Sequence, residues 1–295
     1  MEWSTRLVQI FVYCCDQYQQ GLDAHCQRLS NNSHPNFTDE EVVTIYLFGI
    51  IQGRKTIKEI YRYTQDHLRD WFPTLPSYAG YVQRLNLLED FFPALVEQIL
   101  DEASNLAVLW KTRLLDSMPI IMANAKRSSK AKVARHFANK GYCASKGFYY
   151  YGVKLHLLGL KRQGTLPVPD YVGLTPASDH DLTALRIISP SLIDGELYAD
   201  KAYIDELLTQ ALKAKQNLSL WTPIKKAKGQ EELFLLDRLL SQSVNSIRQP
   251  IESLFNWIEQ KTGIQLASKV RSYNGLMVHV FGRLAAAMFI LAFNS

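Results

Sequence analysis

Apolar residues recur at helical spacing through the first 110 residues of the chain, then give way to shorter runs with the rhythm of strands. In the first stretch, Thr38 to Glu41 (TDEE) stands before VVTIYLFGII, and Thr56 to Glu59 (TIKE) stands before IYRYTQDHL. Both have the form of a capping box, in which the threonine hydroxyl and the glutamate carboxylate each accept a backbone N–H that the first helical turn leaves open. The turn QGRK separates these two helices. Ser77 is placed to cap a further helix, SYAGYVQRLNLLEDFF, which ends near Pro93, and the amphipathic segment ALVEQILDEASNLAVLW follows.

Beyond Trp110, RLLDSMPII reads as a buried strand with an aspartate inside it, FYYYGVKLHLLGL alternates as a second strand, and VPDYVGLTPA forms a third. Asp181 can cap a helix LTALRII, DGELYAD is a fourth strand, Tyr203 to Lys215 is a helix, LSLWTPI is a fifth strand, and the rest is helical. Three strands followed by alternating helices and strands predict a mixed β-sheet with helices on its faces. The expected organisation is therefore an all-α N-terminal domain over 1–110 and an α/β domain over 111–295. The last apolar segment, GLMVHVFGRLAAAMFILAFNS, reads as a buried helix, because His279 and Arg283 leave too short a run to cross a bilayer. With no signal-peptide pattern at the N-terminus, a cytoplasmic protein with no membrane partner is expected.

Composition adds little until charge is followed along the chain. The four cysteines have no CxxC spacing, which argues for reduced thiols and against a structural zinc site. Residues 1–110 hold 8 Lys+Arg and 14 Asp+Glu, so the net charge of +5 conceals an acidic first part and a basic remainder. From Ser117 to Pro169 there are ten Lys or Arg and no acidic residue, and a polyanion is the natural partner of such a tract. Lys126, Arg127, Lys130, Lys132 and Arg135 are its densest part. In the acidic region, Arg54, Lys55, Lys58 and Arg62 around the QGRK turn make that helix pair compatible with a helix-turn-helix, serving DNA-end binding or dimerisation.

Three carboxylates are placed to carry chemistry. Asp116 lies within the first strand, where an ionised carboxylate is costly unless it is paired or holds a cation. Asp200 ends the fourth strand, with helix capping as its ordinary role. Glu252 lies in RQPIESLFNWIEQ, where Pro250 suits the first helical position and an acid near the helix start is favourable in its own right. Glu259, seven residues on, points to nearly the same side of that helix about 10 Å further along it. In a sheet of this order the first and fourth strands are neighbours, so Asp116 and Asp200 converge, and a later helix can lay Glu252 against them. Three hard oxygen donors of this kind suit Mg²⁺ or Mn²⁺, and two such ions serve an in-line phosphoryl displacement.

LLDSMPI, YADKAYID and RQPIESLFNWIE, with GYCASKGFYYYGVKLHLL and PASDHDLTALR between them, resemble the DDE transposases of bacterial insertion sequences. The likeness is closest to the insertion-sequence-982 family, and FTDEEVVTIYLFGIIQG and LPSYAGYVQRL extend it to the N-terminal half. It implies an RNase H-like catalytic domain, a metal-binding catalytic triad of Asp116, Asp200 and Glu252 that holds two Mg²⁺ or Mn²⁺ ions, and no organic cofactor. The implied activity is hydrolysis of a phosphodiester at the element ends and strand transfer of the 3′-hydroxyl into target DNA. The implied partners are double-stranded DNA, as terminal inverted repeats and target, and further copies of the chain in a homodimer or higher assembly at the nucleoid. A signature of the broader insertion-sequence-4 group, Tyr, Arg, Glu and a cation, is met here by Asn245, Arg248, Glu252 and Glu259, so two of its four positions agree. That favours Glu252 over Glu259. Arg248 and Lys201 are further candidates for phosphate contact, and Lys269 and Arg271, near Tyr273, for the DNA backbone. The alternatives are an RNase H-like nuclease that cleaves without strand transfer and a domesticated DNA-binding protein without catalysis.

Overall fold

The computed structural model describes residues 3–26, 35–106, 111–144 and 146–293. The chain divides into two compact units, one made of 1–99 and 258–295 and the other of 100–257. This differs from a simple division at residue 110, because the C-terminal helix joins the N-terminal ones. The segment 107–110, which carries the end of the expected helix ALVEQILDEASNLAVLW and the expected boundary, lies outside the described residues.

The described elements of the first unit are helical: α1 (Trp3–Gln19), α2 (Asp39–Ile51), α3 (Ile57–His67), α4 (Tyr78–Asn86), the first part of α5 (Phe91–Leu106), and a long C-terminal helix, Tyr273–Phe293. Both capping boxes form: Thr38 and Glu41 exchange bonds at the start of α2, and Thr56 and Glu59 do so at α3. α2 is buried almost all round, from Val42 to Ile50, as expected of a helix apolar on every side. It packs so closely on its neighbours that a Cβ at Gly49 would strike Ile60 of α3 at 2.6 Å, and one at Gly282 would strike Tyr46 at the same distance. The helix Tyr273–Phe293 is long and apolar enough to cross a membrane by length and composition, yet most of it is buried within this unit. Its buried Arg283 donates from Nη1 to the Thr262 carbonyl and from Nη2 to the Lys55 carbonyl, its Nε is left without a hydrogen-bond partner, and His279 bonds the Ile264 carbonyl at 2.8 Å.

The second unit is built on a six-stranded mixed sheet. Its strands are β1 (Thr112–Asn124), β2 (Asn139–Cys143), β3 (Phe148–Leu160), β4 (Val168–Pro176), β5 (Gly195–Ala199) and β6 (Leu218–Trp221). β1 pairs antiparallel with β3 and parallel with β5, and β5 pairs parallel with β6. The free edge of β3 is shared end to end: 148–152 pair with β2, and 153–160 pair with β4. β2 was not expected, since NKGYC offers too little apolar alternation to stand out of a basic tract; its neighbours supply the stability. Gly141 and Gly152 permit the tight packing here, because a Cβ would meet the Ala177 carbonyl oxygen at 2.1 Å and the Ile120 carbonyl oxygen at 2.0 Å.

Residues alternate across a sheet, so one face is read directly from the pairing. Leu115, Leu158, Leu197, Ala199, Leu218 and Leu220 lie on one face. There they pack against Leu185 and Ile188 of α6 (Asp181–Ile188), and against Leu212 of α7 (Glu206–Gln216). The other face carries Leu114, Asp116, Leu157 and Gly159, and it meets α8 (Leu235–Thr262), whose Ile251 comes within 3.1 Å of a Cβ placed at Gly159. Each side of the sheet is thus covered by a different set of helices, and the carboxylates are on the side of α8.

Three local expectations are corrected. α7 begins at Glu206 rather than Tyr203; a 3-10 turn, Lys201–Tyr203, comes first, and the cap of α7 is Asp205, which accepts the Leu208 N–H at 3.0 Å. Asp181 is the first residue of α6 rather than its cap, since its carboxylate is held by the Lys154 ammonium at 2.9 Å. Pro250 is interior to α8, which starts fifteen residues earlier at Leu235, so Glu252 is not near a helix start. Pro250 lacks the N–H for the Ser246 carbonyl, and the helix is anchored on both sides of it, by Val244 and Arg248 before and by Ile251, Leu254, Phe255 and Ile258 after, all buried.

Candidate active site

The pairing of β1 with β5 ends at Leu115 opposite Ala199. Asp116 and Asp200 are the next residues of the two neighbouring strands and fall on the same side of the sheet. β1 continues past this point against β3 alone, with Asp116 opposite Leu157, so a notch opens where β5 stops. Asp200 turns there into the 3-10 turn, its Oδ1 accepting the Lys201 N–H at 2.7 Å. Asp116 Oδ1 accepts the Ser117 N–H at 2.8 Å.

α8 supplies the opposing charge. Arg248 Nη1 donates to Asp116 Oδ2 at 2.8 Å, and its Nη2 donates to Glu252 Oε1 at 2.5 Å. Arg248 and Glu252 are four apart, the spacing that puts two residues on one helical face. The arginine side chain is only 10 % exposed, against 51 % for Glu252, so it is Asp116 and Arg248 that form the buried part of the group. The Arg248 Nε is buried without a hydrogen-bond partner, which leaves the guanidinium held along one edge.

The electrostatics follow from this arrangement. Burial pushes the Asp116 carboxyl up from its ordinary 3.8 to about 6, Arg248 opposes that rise, and the charges of Asp200 and Glu252 add to it. Burial acts against the Arg248 charge too, but Asp116, Glu252 and Asp200 outweigh it and raise its pKa. The guanidinium thus bonds two of the carboxylates, feels the charge of the third, and offsets part of their combined negative charge.

The other expected contacts are dispersed. Lys126, Arg127, Lys130, Lys132 and Arg135 are exposed on the segment joining β1 to β2. Lys201 is exposed directly beside Asp200. Arg248, counted with the phosphate contacts on sequence grounds, is engaged by carboxylates. Lys269 and Arg271 are exposed, but they belong to the other unit. So does Glu259, whose Oε2 accepts the Gln265 N–H at 2.7 Å just past the end of α8.

Sequence reasoning missed a polar group on the opposite face of the same strands. Lys154, besides holding Asp181, donates to the Asp179 carbonyl at 2.7 Å. His156, two residues on and fully buried, bonds Thr175 Oγ1 at 2.8 Å, and burial pulls its pKa down to about 4. The alternation in YGVKLHLL contained the signal, since Lys154 and His156 fall where an apolar residue would be expected.

A family model described as transposase DDE domain matches residues 106–272, more than half of the chain. The chain belongs to that family. No curated protein and no solved structure matches it. A mixed sheet flanked by helices fits the RNase H-like architecture of a DDE domain, and family membership makes this protein a transposase with DNA as its substrate class. Enzymes of this family depend in general on divalent metal, so the fit of the carboxylates to such an ion is the next question. Among the described residues, no group of three His, Cys, Asp or Glu side chains stands ready as a cage. The donor chemistry nevertheless suits a hard cation: a desolvated Asp116, Asp200 beside it on the neighbouring strand, and Glu252 reached through Arg248, all carrying carboxylate oxygens.

Proposed function

We propose that this transposase, of the insertion-sequence-982 type, cleaves a phosphodiester at the ends of its own element and joins the exposed 3′-hydroxyl to target DNA, with Asp116, Asp200 and Glu252 as its catalytic triad. The observation that supports this reading is that Arg248 bonds both Asp116 and Glu252 and feels the charge of Asp200, beside the point where the β1–β5 pairing ends, in a chain of the DDE family. Those carboxylates would hold Mg²⁺ or Mn²⁺, which when bound supplies Lewis-acid activation of the attacking oxygen and stabilisation of the leaving one. Asp116 and Asp200 fix the site to the rigid sheet, while the half-exposed Glu252 comes from a helix and can adjust. Arg248 keeps the carboxylates from repelling one another before DNA and metal arrive, and is positioned to answer the charge of a phosphate once they do. Lys201, beside Asp200, and the tract from Lys126 to Arg135 bind the DNA backbone, and Lys269 and Arg271 are further backbone contacts. The protein acts in the cytoplasm at the nucleoid, as a dimer or higher assembly that brings two ends together.

The test is incubation of the purified protein with Mg²⁺, labelled element ends and a supercoiled plasmid. Cleaved ends and joined products are expected, and Asp116→Asn loses both while still binding the ends. Nicking with no joined product would leave a nuclease; cleavage surviving in Asp116→Asn would remove the assigned site.

A further inference from the structure

The hairpin of β2 and β3 presents an aromatic pair that the cleavage site does not use. Tyr142 and Tyr149 are directly opposite each other across the two strands, with ring centroids 4.9 Å apart. Both are more than half exposed, at 51 % and 54 %, an unusual state for two large rings side by side. Lys140 reaches over the Tyr149 ring with its Nζ 4.8 Å from the centroid. Beneath them the hairpin is anchored: Cys143, Tyr150, Ile121 and Ala177 pack together on the other face, and the Tyr151 hydroxyl bonds the Val133 carbonyl at 2.9 Å. That bond ties the hairpin to the loop carrying Lys132 and Arg135, and Arg135 is close enough to Tyr151 to act on its hydroxyl electrostatically.

The pairing tells where this pair lies relative to the carboxylates. Asp116 is opposite Leu157, and Tyr149 is eight residues back along the same uninterrupted strand, on the same face of the sheet. At about 3.3 Å per residue the separation along the strand is about 26 Å. The intervening chain belongs to the tract from Ser117 to Pro169, which has ten basic residues and no acidic one.

We infer that Tyr142 and Tyr149 are a stacking platform for unpaired DNA bases, on the same face of the sheet as Asp116 and about 26 Å from it along β3. An exposed aromatic pair offers a base its π-face regardless of sequence, and Lys140 with Arg135 supplies the charge that draws the backbone across it. A duplex hides its base faces in the stack, so the platform selects DNA that is frayed or single-stranded, such as a displaced strand or the melted flank of an end. The distance to the site rests on the proposed reading of the triad; the contact itself does not.

The experiment compares two labelled probes by fluorescence anisotropy, a twelve-residue oligothymidine and a blunt 20-base-pair duplex of arbitrary sequence. The proteins are wild type, Tyr142→Thr/Tyr149→Thr, which keeps strand-forming side chains without rings, and Tyr142→Phe/Tyr149→Phe, which keeps the rings. Wild type and the phenylalanine variant are expected to bind the single strand alike, and the threonine variant about tenfold more weakly or worse, with duplex binding changed less than twofold. Equal single-strand affinity in all three, an equal loss on both probes, or no single-strand binding by wild type would overturn the inference. Asp116→Asn separates this from the cleavage reading: it should bind the oligothymidine as wild type does, and if it still cleaved DNA the triad would fall while the platform stood.

Discussion

Replacing Asp116 by Asn should make the protein more stable at neutral pH in the absence of divalent ions, although it should abolish cleavage. Asp116 has an ordinary carboxyl pKa of 3.8 when the chain is unfolded and about 6 when it is folded, burial being the main cause and Arg248 only a partial remedy. Below about pH 3.8 the carboxyl is protonated in both states, and its burial costs nothing extra. Between about 3.8 and 6 the folded protein keeps a proton that the unfolded chain releases, so stability falls as pH rises, and above about 6 the full cost is present. At about 1.4 kcal/mol per pH unit the cost comes to about 3 kcal/mol. Asparagine has the same shape and no charge to bury, and Arg248 still has Glu252. The melting temperature of Asp116→Asn should therefore exceed that of wild type in EDTA at pH 7.5 by roughly 6–12 °C, and the two should converge near pH 4. Added Mg²⁺ should raise wild type and leave the variant where it was. Differential scanning fluorimetry over pH 4 to 8, with urea unfolding at the two ends, measures this. An asparagine variant no more stable than wild type at pH 7.5, or an offset that does not change with pH, would refute the account of Asp116 as a desolvated carboxylate awaiting a cation.

The remaining predictions concern its neighbours. Arg248→Gln should destabilise the protein in EDTA by about 3 kcal/mol, since it leaves Asp116 buried with two like charges, and combining it with Asp116→Asn should recover most of that loss; additive losses in urea unfolding would contradict the coupling. Glu252→Gln should lose cleavage with little change in stability, because Glu252 is half exposed, whereas Glu259→Gln should keep cleavage and lose about 1 kcal/mol through its bond to the Gln265 N–H. A plasmid-nicking assay in which both behave alike would undo that distinction. Gly152→Ala forces a Cβ onto the Ile120 carbonyl oxygen and should cost about 3 kcal/mol or more, seen as a lower urea midpoint; a neutral effect would mean that β1 and β3 can separate locally. Cys15, partly exposed, should react with a thiol reagent before Cys14, which burial pushes up to about 12, and alkylation followed by peptide mapping gives the order.

Local chemistry was legible wherever a signal is short in range. The boxes Thr38–Glu41 and Thr56–Glu59 form because each needs only four residues and its own helix, and β1, β3 and β5 follow from runs of apolar residues that no other element could bury. The neighbouring placement of Asp116 and Asp200 was legible too, through the order of strands, because a crossover helix fixes which strands can pair. Where neighbours decide, the sequence was silent or misleading. NKGYC is a strand only because β3 offers an edge, and Asp181 gives up its capping role because Lys154 of β3 reaches it first. Pro250 looks like a helix start, and it took buried residues on both sides, Val244 and Arg248 before it and Ile251 and Leu254 after it, to carry α8 through it.

The sequence by itself determined which carboxylates were available, that they sit at strand and helix positions able to converge, and that a basic tract without acids accompanies them. Only the tertiary structure decided that a single arginine from α8 holds two of them and feels the charge of the third, that the C-terminal helix folds with the N-terminal ones, and that Tyr142 and Tyr149 share the face of Asp116. The division has a physical basis. Burial and capping act over a few residues and leave their pattern in the order of the chain, whereas the cost of a buried charge depends on which distant group comes to meet it.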